Sequence, residues 1–426
     1  MNILIQTAGS RGDVEPYVAL GQGLLRAGHR VTVNTCDRFR DFVAQRGLDY
    51  VYLNSGLIDL LDTEVGRGAI EDMGSFFRAI RMVPRLMRES SDIQRSMLAE
   101  GWDAARSVDP DLILFNSKMA GAHYAEKLGV PSVLAMPMPQ FVPTSAFPAL
   151  GFPRLPLGRS YNRLTYRVVH AAADRIGGKF VSAWRRAHGL PPAEGLGLLR
   201  RGDGAAVPVL HCYSENVLPR PDDWPDHVYV TGYWFLDRAE AWSPPAGLTD
   251  FLDAGPAPVH VGFGSMAGRD PARTTAIVLE AIARTGRRCI LVTGWGGLVP
   301  EAVPDDVYVI DAVPYDWLLP RVAATVHHGG AGTTAAGLRA GRPTVICPFF
   351  GDQPFWGRRV RELGVGPAPI PQKKLSAPRL ASAIELACTD AAIGRRAAEL
   401  GAQIRREDGI GRAVRLLEGL ADQGRR

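Results

Sequence analysis

The chain of 426 residues lacks the features that mark several classes of protein. It contains no apolar run long enough to cross a bilayer, for which about 18 residues are needed, so we expect no membrane-spanning helix. Its five cysteines include no CxxC pair and mostly fall in apolar runs, which indicates buried free thiols in a reducing compartment. The N-terminus leads directly into an apolar run, without a basic region or a cleavage site. We therefore expect a cytoplasmic protein.

Charge of one sign is also scarce. The sequence has 49 basic and 44 acidic residues, a net charge of +5. This mild excess is too small for a nucleic-acid-binding surface, but it suits an anionic ligand or at most weak peripheral contact with an acidic membrane. A hydrophobic content of 46% is ordinary for a globular enzyme. The length fits two domains of about 200 residues each, and the sequence leaves a monomer or a homodimer open.

Apolar runs alternate with helix-like stretches, a pattern typical of parallel sheets with helices on both faces. The first half opens with a strand over 2–8, a glycine-rich turn, a helix from about Glu15 to Ala27 and a strand over Arg30–Thr35. Further strands of this half are predicted at Leu112–Phe115, Ser132–Ala135 and Val209–Cys212.

The pattern restarts with a strand over 258–263, which predicts a second α/β half. Its helix is predicted at 271–285 and its later strands at Cys289–Thr293, Val307–Ile310, Ala324–His327 and Thr344–Cys347. The predicted domains are 1–232, a proline-rich linker over 233–248, a second domain over 249–409, and a C-terminal helix over 410–426 that could pack on either domain, including back on the first. Ligands of open α/β sheets bind beyond the carboxyl ends of the strands, so we expect the active site in a cleft between the domains.

The most informative loop is Val326-His-His-Gly-Gly-Ala-Gly-Thr-Thr-Ala335, a strand that enters a glycine-rich turn and then a helix. Glycines let the backbone approach a ligand, and a helix N-terminus favours negative charge, so the loop suits a diphosphate. A threonine hydroxyl of Thr333 or Thr334 and one histidine can also donate to phosphate oxygens. The alternative, a tight turn with a capping threonine, does not explain the two histidines. The loop matches neither the GxxxxGK[ST] nucleotide motif nor a GxGxxG after the first strand.

Asp352 and Gln353 follow the next strand along the chain. A carboxylate accepts hydrogen bonds and a carboxamide both donates and accepts, so this pair suits vicinal sugar hydroxyls. The alternative is a solvated turn. The position of the pair one strand after the glycine-rich loop favours a sugar site.

These residues resemble a known family. The stretch from Asp311 to Leu319, the segment His327-His-Gly-Gly-Ala-Gly-Thr333 and the pair Asp352-Gln353 resemble the nucleotide-sugar signature of the family 1 glycosyltransferases. Gly9-Ser-Arg-Gly-Asp-Val-Glu-Pro16 is similar to the opening of their sterol-glucosyltransferase and antibiotic-glycosyltransferase branch. The resemblance covers essentially the whole chain. It implies a GT-B fold with two Rossmann-like, doubly wound parallel-sheet domains facing across a cleft, an inverting mechanism, and no metal or cofactor beyond a nucleotide-sugar co-substrate.

The resemblance also implies the donor contacts. They are Val313 and Tyr315 at the nucleobase and ribose, Gly264, Ser265, His328, Gly330, Gly332 and Thr333 at the diphosphate, and Asp352 and Gln353 at the donor sugar. His328 is preferred over His327 because the family's phosphate-binding histidine directly precedes Gly-Gly. Tyr315 stands where sterol-glucosyltransferase relatives often have a histidine, so the choice between a UDP- and a dTDP-sugar stays open.

An inverting transfer needs a general base to take the proton of the acceptor hydroxyl. By resemblance to the antibiotic branch, Asp13 is that base. The alternative is that Asp13 caps the helix that follows, and both roles are compatible. Ser10 and Arg11 are placed at the donor diphosphate, with a solvated loop charge as the alternative for Arg11. His123, on a predicted helix, is interpreted as a packed or surface residue.

Two apolar segments of the N-terminal half are candidates for the acceptor site. The first, over 74–88, contains Phe76 and Phe77 among basic residues, and the second contains Met136, Met138 and Phe141 in a proline-broken loop. Flexible methionine and phenylalanine side chains suit a polycyclic or macrocyclic alcohol. The first segment can equally be a helix with one core face and one basic face, and its proline disfavours a membrane-surface helix.

The primary hypothesis is therefore an inverting O-glycosyltransferase that moves a hexose from a UDP- or dTDP-sugar to a lipophilic sterol-like or polyketide-type alcohol. A two-domain nucleotide-sugar epimerase is the second enzyme hypothesis, but Asp13 with Asp352 and Gln353 does not supply its active site well. A non-catalytic auxiliary partner of another transferase is the third, and such a partner would be expected to lose the phosphate loop.

Overall fold

The computed structural model describes residues 1–56, 58–59, 91–193, 197–238, 242–264, 270–294, 297–300 and 303–424. Three predicted site residues, Phe76, Phe77 and Ser265, lie outside these ranges. The described chain divides into two compact units. Unit 1 extends to Leu236 and also includes the C-terminal segment from Asp408, whereas unit 2 covers Asp237–Glu407. The boundary after Leu236 falls in the segment in which the sequence places the linker.

Unit 1 is built on one parallel sheet. Its strands are β1 (Asn2–Gln6), β2 (Arg30–Cys36), β3 (Asp49–Leu53), β4 (Leu112–Phe115), β5 (Ser132–Met136), β6 (Val209–His211) and β7 (Val228–Val230). Their order in the sheet is β3-β2-β1-β4-β5-β6-β7, with parallel pairing throughout. The described helices up to the domain boundary are α1 (Arg11–Arg26), α2 (Arg40–Ala44), α3 (Ser91–Val108), α4 (Gly121–Leu128) and α5 (Gly158–Ala187).

Helix α1 starts earlier than the sequence pattern predicts, at Arg11 instead of Glu15. Ser10 is the N-cap, and the carboxylate of Asp13 at the third helical position accepts a hydrogen bond from the Ser10 backbone N–H over 2.9 Å. This contact is the carboxylate half of a capping box. The alternative in which Asp13 itself is the N-cap is therefore wrong, because Ser10 takes that position and Asp13 is the third helical residue.

Unit 2 has a second parallel sheet. Its strands are β8 (Val259–Gly262), β9 (Cys289–Val292), β10 (Val307–Ile310), β11 (Ala324–His327) and β12 (Thr344–Ile346), in the order β10-β9-β8-β11-β12. Its helices are α6 (Ala246–Asp253), α7 (Pro271–Thr285), α8 (Tyr315–Leu318), α9 (Ala331–Arg339), α10 (Gln353–Glu362), α11 (Ala377–Thr389) and α12 (Ala391–Arg405). Helix α6 begins at Ala246, inside the predicted linker.

The core of unit 2 lies on both faces of its sheet. On one face, Val261 and Leu291 pack in a cluster with residues of α7 and α11 such as Ile282 and Leu380. On the other face, Ile290 packs in a second cluster that includes residues of α8. Burial on both faces is what an all-parallel sheet requires, and it explains why these strands read as continuous apolar runs.

The chain order reverses once in each sheet. The first strand of each unit, β1 or β8, has its successor on one side and a later strand, β4 or β11, on the other. Such a point is where open α/β sheets bind ligands, because the loops after the two central strands separate there. Functional side chains are therefore expected in the loops after β1 and β4 in unit 1, and after β8 and β11 in unit 2.

The last helix, α13 (Gly409–Gly424), belongs to unit 1 and packs on α1. Gly23 of α1 allows the close approach, since a Cβ added there would meet the side chain of Ile410. His29 lies 3.1 Å from the carboxylate of Glu418. Within the described ranges, none of the helices is both long and apolar enough to cross a membrane. The five cysteines are free thiols, four of them buried.

Candidate functional site

The switch point of unit 2 holds the glycine-rich loop. Strand β11 ends at His327, and α9 begins at Ala331 with Gly330 as its N-cap. Gly329 has a φ of +93°, and a Cβ added there would lie 2.5 Å from a methyl group of Ile346. Only glycine tolerates this conformation together with this packing. The chain therefore turns sharply at Gly329 and enters α9 two residues later.

The two adjacent histidines differ in their surroundings. His327 is 0% exposed, and its Nδ1 accepts a hydrogen bond from the Gly329 backbone N–H over 3.0 Å. Burial holds the pKa of His327 well below its ordinary value, and the neighbouring His328 and His260 lower it further. A neutral His327 is thus part of the scaffold that shapes the turn.

His328 lies against the loop glycines. A Cβ added at Gly330 would lie 2.6 Å from its Nε2, and one added at Gly264, just after β8, would lie 3.6 Å from its Cε1. Burial lowers the pKa of His328 to about 4, so the imidazole is neutral at physiological pH. Its Nδ1 is buried without a hydrogen-bond partner among the described residues. A neutral imidazole has one N–H to donate, which suits a phosphate oxygen.

The first turn of α9 completes this loop. Gly332 is exposed, Thr333 is half-buried, and Thr334 is buried with its N–H bonded to the carbonyl of Gly330. The N–H groups that precede Thr334 in the helix have no intrahelical acceptor, and together with the helix dipole they favour an anion. The structure therefore brings Gly264, His328, Gly330 and the start of α9 together at the switch point.

The Asp352-Gln353 pair adjoins the same loop. A Cβ added at Gly329 would lie 3.3 Å from the backbone oxygen of Gln353. The Gln353 side chain is 5% exposed, and its Oε1 accepts hydrogen bonds from the backbone N–H groups of Phe349 and Phe350 over 2.8 and 3.3 Å. Because the oxygen is engaged, the amide of Gln353 is left to donate. Asp352 accepts a hydrogen bond from the indole N–H of Trp356 over 2.9 Å.

The predicted nucleobase residues lie after β10. Val313 and Tyr315 are both half-buried, and Tyr315 is the first residue of α8. The Tyr315 ring meets His260 of β8 edge-on, with 5.4 Å between the ring centroids. His260 is fully buried, and its Nδ1 lies 2.7 Å from the hydroxyl of Thr325 in β11.

The switch point of unit 1 holds Asp13. Its Oδ2 accepts hydrogen bonds from the N–H and the hydroxyl of Ser10 over 2.9 and 3.1 Å. Its Oδ1 forms an ion pair with Lys118, which follows β4, at 2.8 Å. The Asp13 and Lys118 side chains are 23% and 39% exposed. Gly9 makes room for the pair, because a Cβ added there would collide with both charged groups.

Sequence reasoning missed Lys118. The available signal was its position, three residues after the predicted strand Leu112–Phe115, in the loop that a doubly wound sheet places beside the loop of Asp13. Arg11, by contrast, lies on the surface of α1, where it pairs with Glu15 at 2.7 Å and lies 5.1 Å from the Phe42 ring centre.

The described acceptor candidates differ in exposure. Met136 ends β5 and is 2% exposed, so it belongs to the core in this structure. Met138 and Phe141 are half-buried. Phe141 has a φ of +67°, which is uncommon for a residue other than glycine, and its ring stacks on His170 with 6.3 Å between centroids. His123 is packed in the interior, 2.9 Å from the guanidinium of Arg185.

Metal-binding side chains are not clustered in the described part of the chain. No group of three or more His, Cys, Asp or Glu residues there is arranged to hold a metal ion.

Comparison with known proteins agrees with this picture. Residues 3–147 match the glycosyltransferase family 28 N-terminal domain, and residues 278–408 match the C-terminal domain of erythromycin biosynthesis protein CIII-like proteins. The sterol 3-beta-glucosyltransferase UGT80A2 of Arabidopsis thaliana is 38% identical over 424 residues, 97% of this chain and 65% of the plant protein. A sterol 3-beta-glucosyltransferase of Aspergillus fumigatus is 37% identical over 98% of this chain and 30% of its own length. The chain thus spans just under two thirds of the plant relative and under one third of the fungal relative.

Solved structures show the same fold at low identity. The glycosyltransferase of kitacinnamycin superposes with a TM-score of 0.73 at 22% identity, and each chain is covered to 98%. The glycosyltransferase VinC, solved with dTDP, superposes with a TM-score of 0.71 at 20% identity, covering 99% of this chain and 100% of its own.

Two parallel-sheet units of this topology define the GT-B class, and the predicted fold class is confirmed. Within that class, the two matched domain models and the relatives at 36–38% identity support the family 1 glycosyltransferases, as the resemblance of the motifs indicated.

Proposed function

We propose that this protein is an inverting, metal-independent O-glycosyltransferase that moves a hexose from a UDP- or dTDP-sugar to a hydroxyl of a lipophilic, sterol-like or polyketide-type alcohol. The observation that carries the proposal is the placement of a neutral His328 against Gly264 and Gly330, at the N-terminus of α9. This arrangement is suited to a diphosphate.

The donor would bind to unit 2. His328 and the N–H groups of the first turn of α9 would hold the diphosphate, and the backbone around Val313 with Tyr315 would face the nucleoside. Asp352 and the amide of Gln353 would hold the hexose hydroxyls, because a carboxylate accepts from hydroxyls and an amide donates to them. The diphosphate is both the anchor of the donor and the leaving group.

Unit 1 would supply the base. The acceptor hydroxyl would donate to the carboxylate of Asp13, its oxygen would form a bond to the anomeric carbon, and the bond from that carbon to the diphosphate oxygen would break. The hydroxyl proton passes to Asp13, and the bonding electron pair leaves with the nucleoside diphosphate. A single displacement of this kind inverts the anomeric centre, and a positioned base contributes about 10²- to 10⁴-fold to such a step.

The acceptor class rests on two supports. The relatives at 36–38% identity over nearly the whole chain are named as sterol 3-beta-glucosyltransferases. Met138 and Phe141, half-buried near the carboxyl end of β5, offer apolar contact surface in unit 1. The glycine-rich loop is intact, which favours a transferase over a non-catalytic auxiliary partner.

The proposal is tested by donor binding and by product analysis. Calorimetry with UDP and dTDP should give saturable binding to one or both. Incubation with UDP-glucose or dTDP-glucose, a sterol or a macrolide alcohol, and EDTA should yield a glycoside, detected by mass spectrometry, with the inverted anomeric configuration by NMR. Absence of binding to both nucleotides contradicts the donor assignment, retention of configuration contradicts the single displacement, and abolition of transfer by EDTA contradicts metal independence.

A further inference from the structure

Lys118 is held at the switch point of unit 1 by a defined set of hydrogen bonds. The side-chain amide of Asn116, the residue directly after β4, donates to the hydroxyl of Thr7 and the carbonyl of Ala8 over 3.0 and 2.9 Å. Its Oδ1 accepts from the Lys118 backbone N–H over 3.1 Å. The hydrogen bonds of Asn116 therefore connect the loop after β4 to the loop after β1. They also fix the backbone position of Lys118.

The two oxygens of Asp13 have different surroundings. Oδ2 accepts from two groups of Ser10, whereas Oδ1 is the oxygen that contacts the Lys118 ammonium. A carboxylate oxygen has two lone pairs, so Oδ1 can accept one further hydrogen bond beside the ammonium. Oδ1 is consequently the atom of Asp13 that can receive an acceptor hydroxyl.

Among the residues that the structure describes, Lys118 is the charged partner of Asp13. Arg11 and Glu15 of the same helix pair with each other. Burial raises the pKa of the Cys36 thiol even though Lys118 lowers it, so Cys36 stays neutral. Burial likewise raises the pKa of Tyr17, one helical turn beyond Asp13. With both of these groups neutral, the Lys118 ammonium is the charged group of the described residues that contacts Asp13.

We propose that Lys118 is a positioning residue that fixes the orientation of the Asp13 side chain through the contact of its ammonium with Oδ1 and directs this oxygen to the acceptor hydroxyl. The inference rests on the proposed function, in which Asp13 is the base. During transfer the hydroxyl proton passes to Oδ1 of Asp13, while Lys118 keeps its protons throughout. Lys118 thus acts through Asp13 and forms no bond to the sugar.

The test compares Lys118→Met, Lys118→Arg and the matched control Lys127→Met, which removes an exposed lysine of α4. We expect Lys118→Met to lower kcat by about 10- to 100-fold, a part of what a positioned base contributes. Nucleotide affinity should not change. Lys118→Arg should recover most of kcat, and Lys127→Met should match the parent protein.

A second readout does not need turnover. The ¹³C carboxyl resonance of Asp13, assigned by its loss in Asp13→Asn, should change its chemical shift at neutral pH in Lys118→Met, because the carboxylate loses its contact with the ammonium. If the parent makes glycoside while kcat and this chemical shift are both unchanged in Lys118→Met, the role of Lys118 is wrong. If the chemical shift changes but the parent transfers no sugar to any acceptor, Lys118 positions Asp13 as inferred and the transferase proposal is the part that fails. Should Lys118→Met not fold, the same comparison is made with Lys118→Arg and Lys118→Gln.

Discussion

The backbone N–H of Gly329 donates to Nδ1 of His327 over 3.0 Å, so one histidine of the pair fixes the turn and leaves the other, His328, beside the start of α9. Both rings are neutral, because burial lowers the pKa of each. Two adjacent residues of the same type thus have different tasks.

His328→Ala should weaken nucleotide binding and leave the fold intact. A hydrogen bond to a charged group contributes about 1.5–3 kcal/mol, which corresponds to about a 10- to 100-fold increase in Kd for UDP or dTDP. Calorimetry measures the change, and thermal unfolding of the unliganded protein is the control for folding. Full affinity in His328→Ala would move the phosphate contact to the backbone of α9.

Gly329→Ala should destabilise the protein, whereas Gly332→Ala in the same loop should not. The first substitution imposes a left-handed backbone on alanine, at about 1–2 kcal/mol, and brings its Cβ to 2.5 Å from Ile346. The second places a methyl group where no atom lies within 4 Å, apart from those of the adjacent residues and of the surrounding helix backbone. The midpoint of thermal unfolding should fall only for Gly329→Ala. Equal midpoints for the two variants would contradict this account of the turn.

Stability should decrease as the pH falls below about 6.5, the ordinary pKa of histidine. Burial lowers the pKa of His211 and of His260 to about 3 and that of His328 to about 4. Between these values and 6.5 the unfolded chain binds protons that the folded chain does not, so the free energy of unfolding decreases with falling pH. Calorimetric unfolding at pH 5.5, in buffers of different ionisation enthalpy, should show proton uptake. No uptake at that pH would mean that these histidines are protonated in the folded protein.

Some elements are predictable from the sequence because their signals are local. Helix α7 has the predicted bounds, since Asp270 caps its first turn, Pro271 occupies the first position and Gly286 ends it in a left-handed conformation. The strands β4 and β11 have the predicted bounds because buried parallel strands form continuous apolar runs. The half-buried β10 also has its predicted bounds.

Other features depend on tertiary contacts and were missed. The strands β3 and β7 were not predicted. Strand β7 has only three residues, which are too few to show an alternation of apolar and polar residues. Pro16 suggested a helix that starts near Glu15, but the contact between Ser10 and Asp13 starts α1 four residues earlier. The pair of Asp13 with Lys118 forms only when two loops from distant parts of the chain meet at the switch point, and no local pattern encodes it.

Asp13→Asn should abolish most of the transfer without loss of donor binding. The amide oxygen of asparagine can still accept from Ser10, so the start of α1 should be retained, but it cannot take a proton from the acceptor. We expect kcat to fall by about 10²- to 10⁴-fold. Glu15→Gln, which removes a half-buried carboxylate two residues further along α1, is the matched control and should keep full activity. If both variants turn over normally, the base lies elsewhere.

Asp352→Asn should reduce the contribution of the sugar to donor binding. The asparagine oxygen can still accept from the indole of Trp356, so the local fold should survive, but the negative charge that accepts from the sugar hydroxyls is lost. A hydrogen bond to a charged group is stronger than one to a neutral group by about 1 kcal/mol, so the Kd of UDP-glucose should rise several-fold while that of UDP stays constant. Titration of the parent and the variant with both ligands gives the ratio of the two affinities. Glu362→Gln, at the far end of α10, is the control, and an equal loss of affinity for UDP and UDP-glucose in Asp352→Asn would place this carboxylate at the nucleotide instead of the hexose.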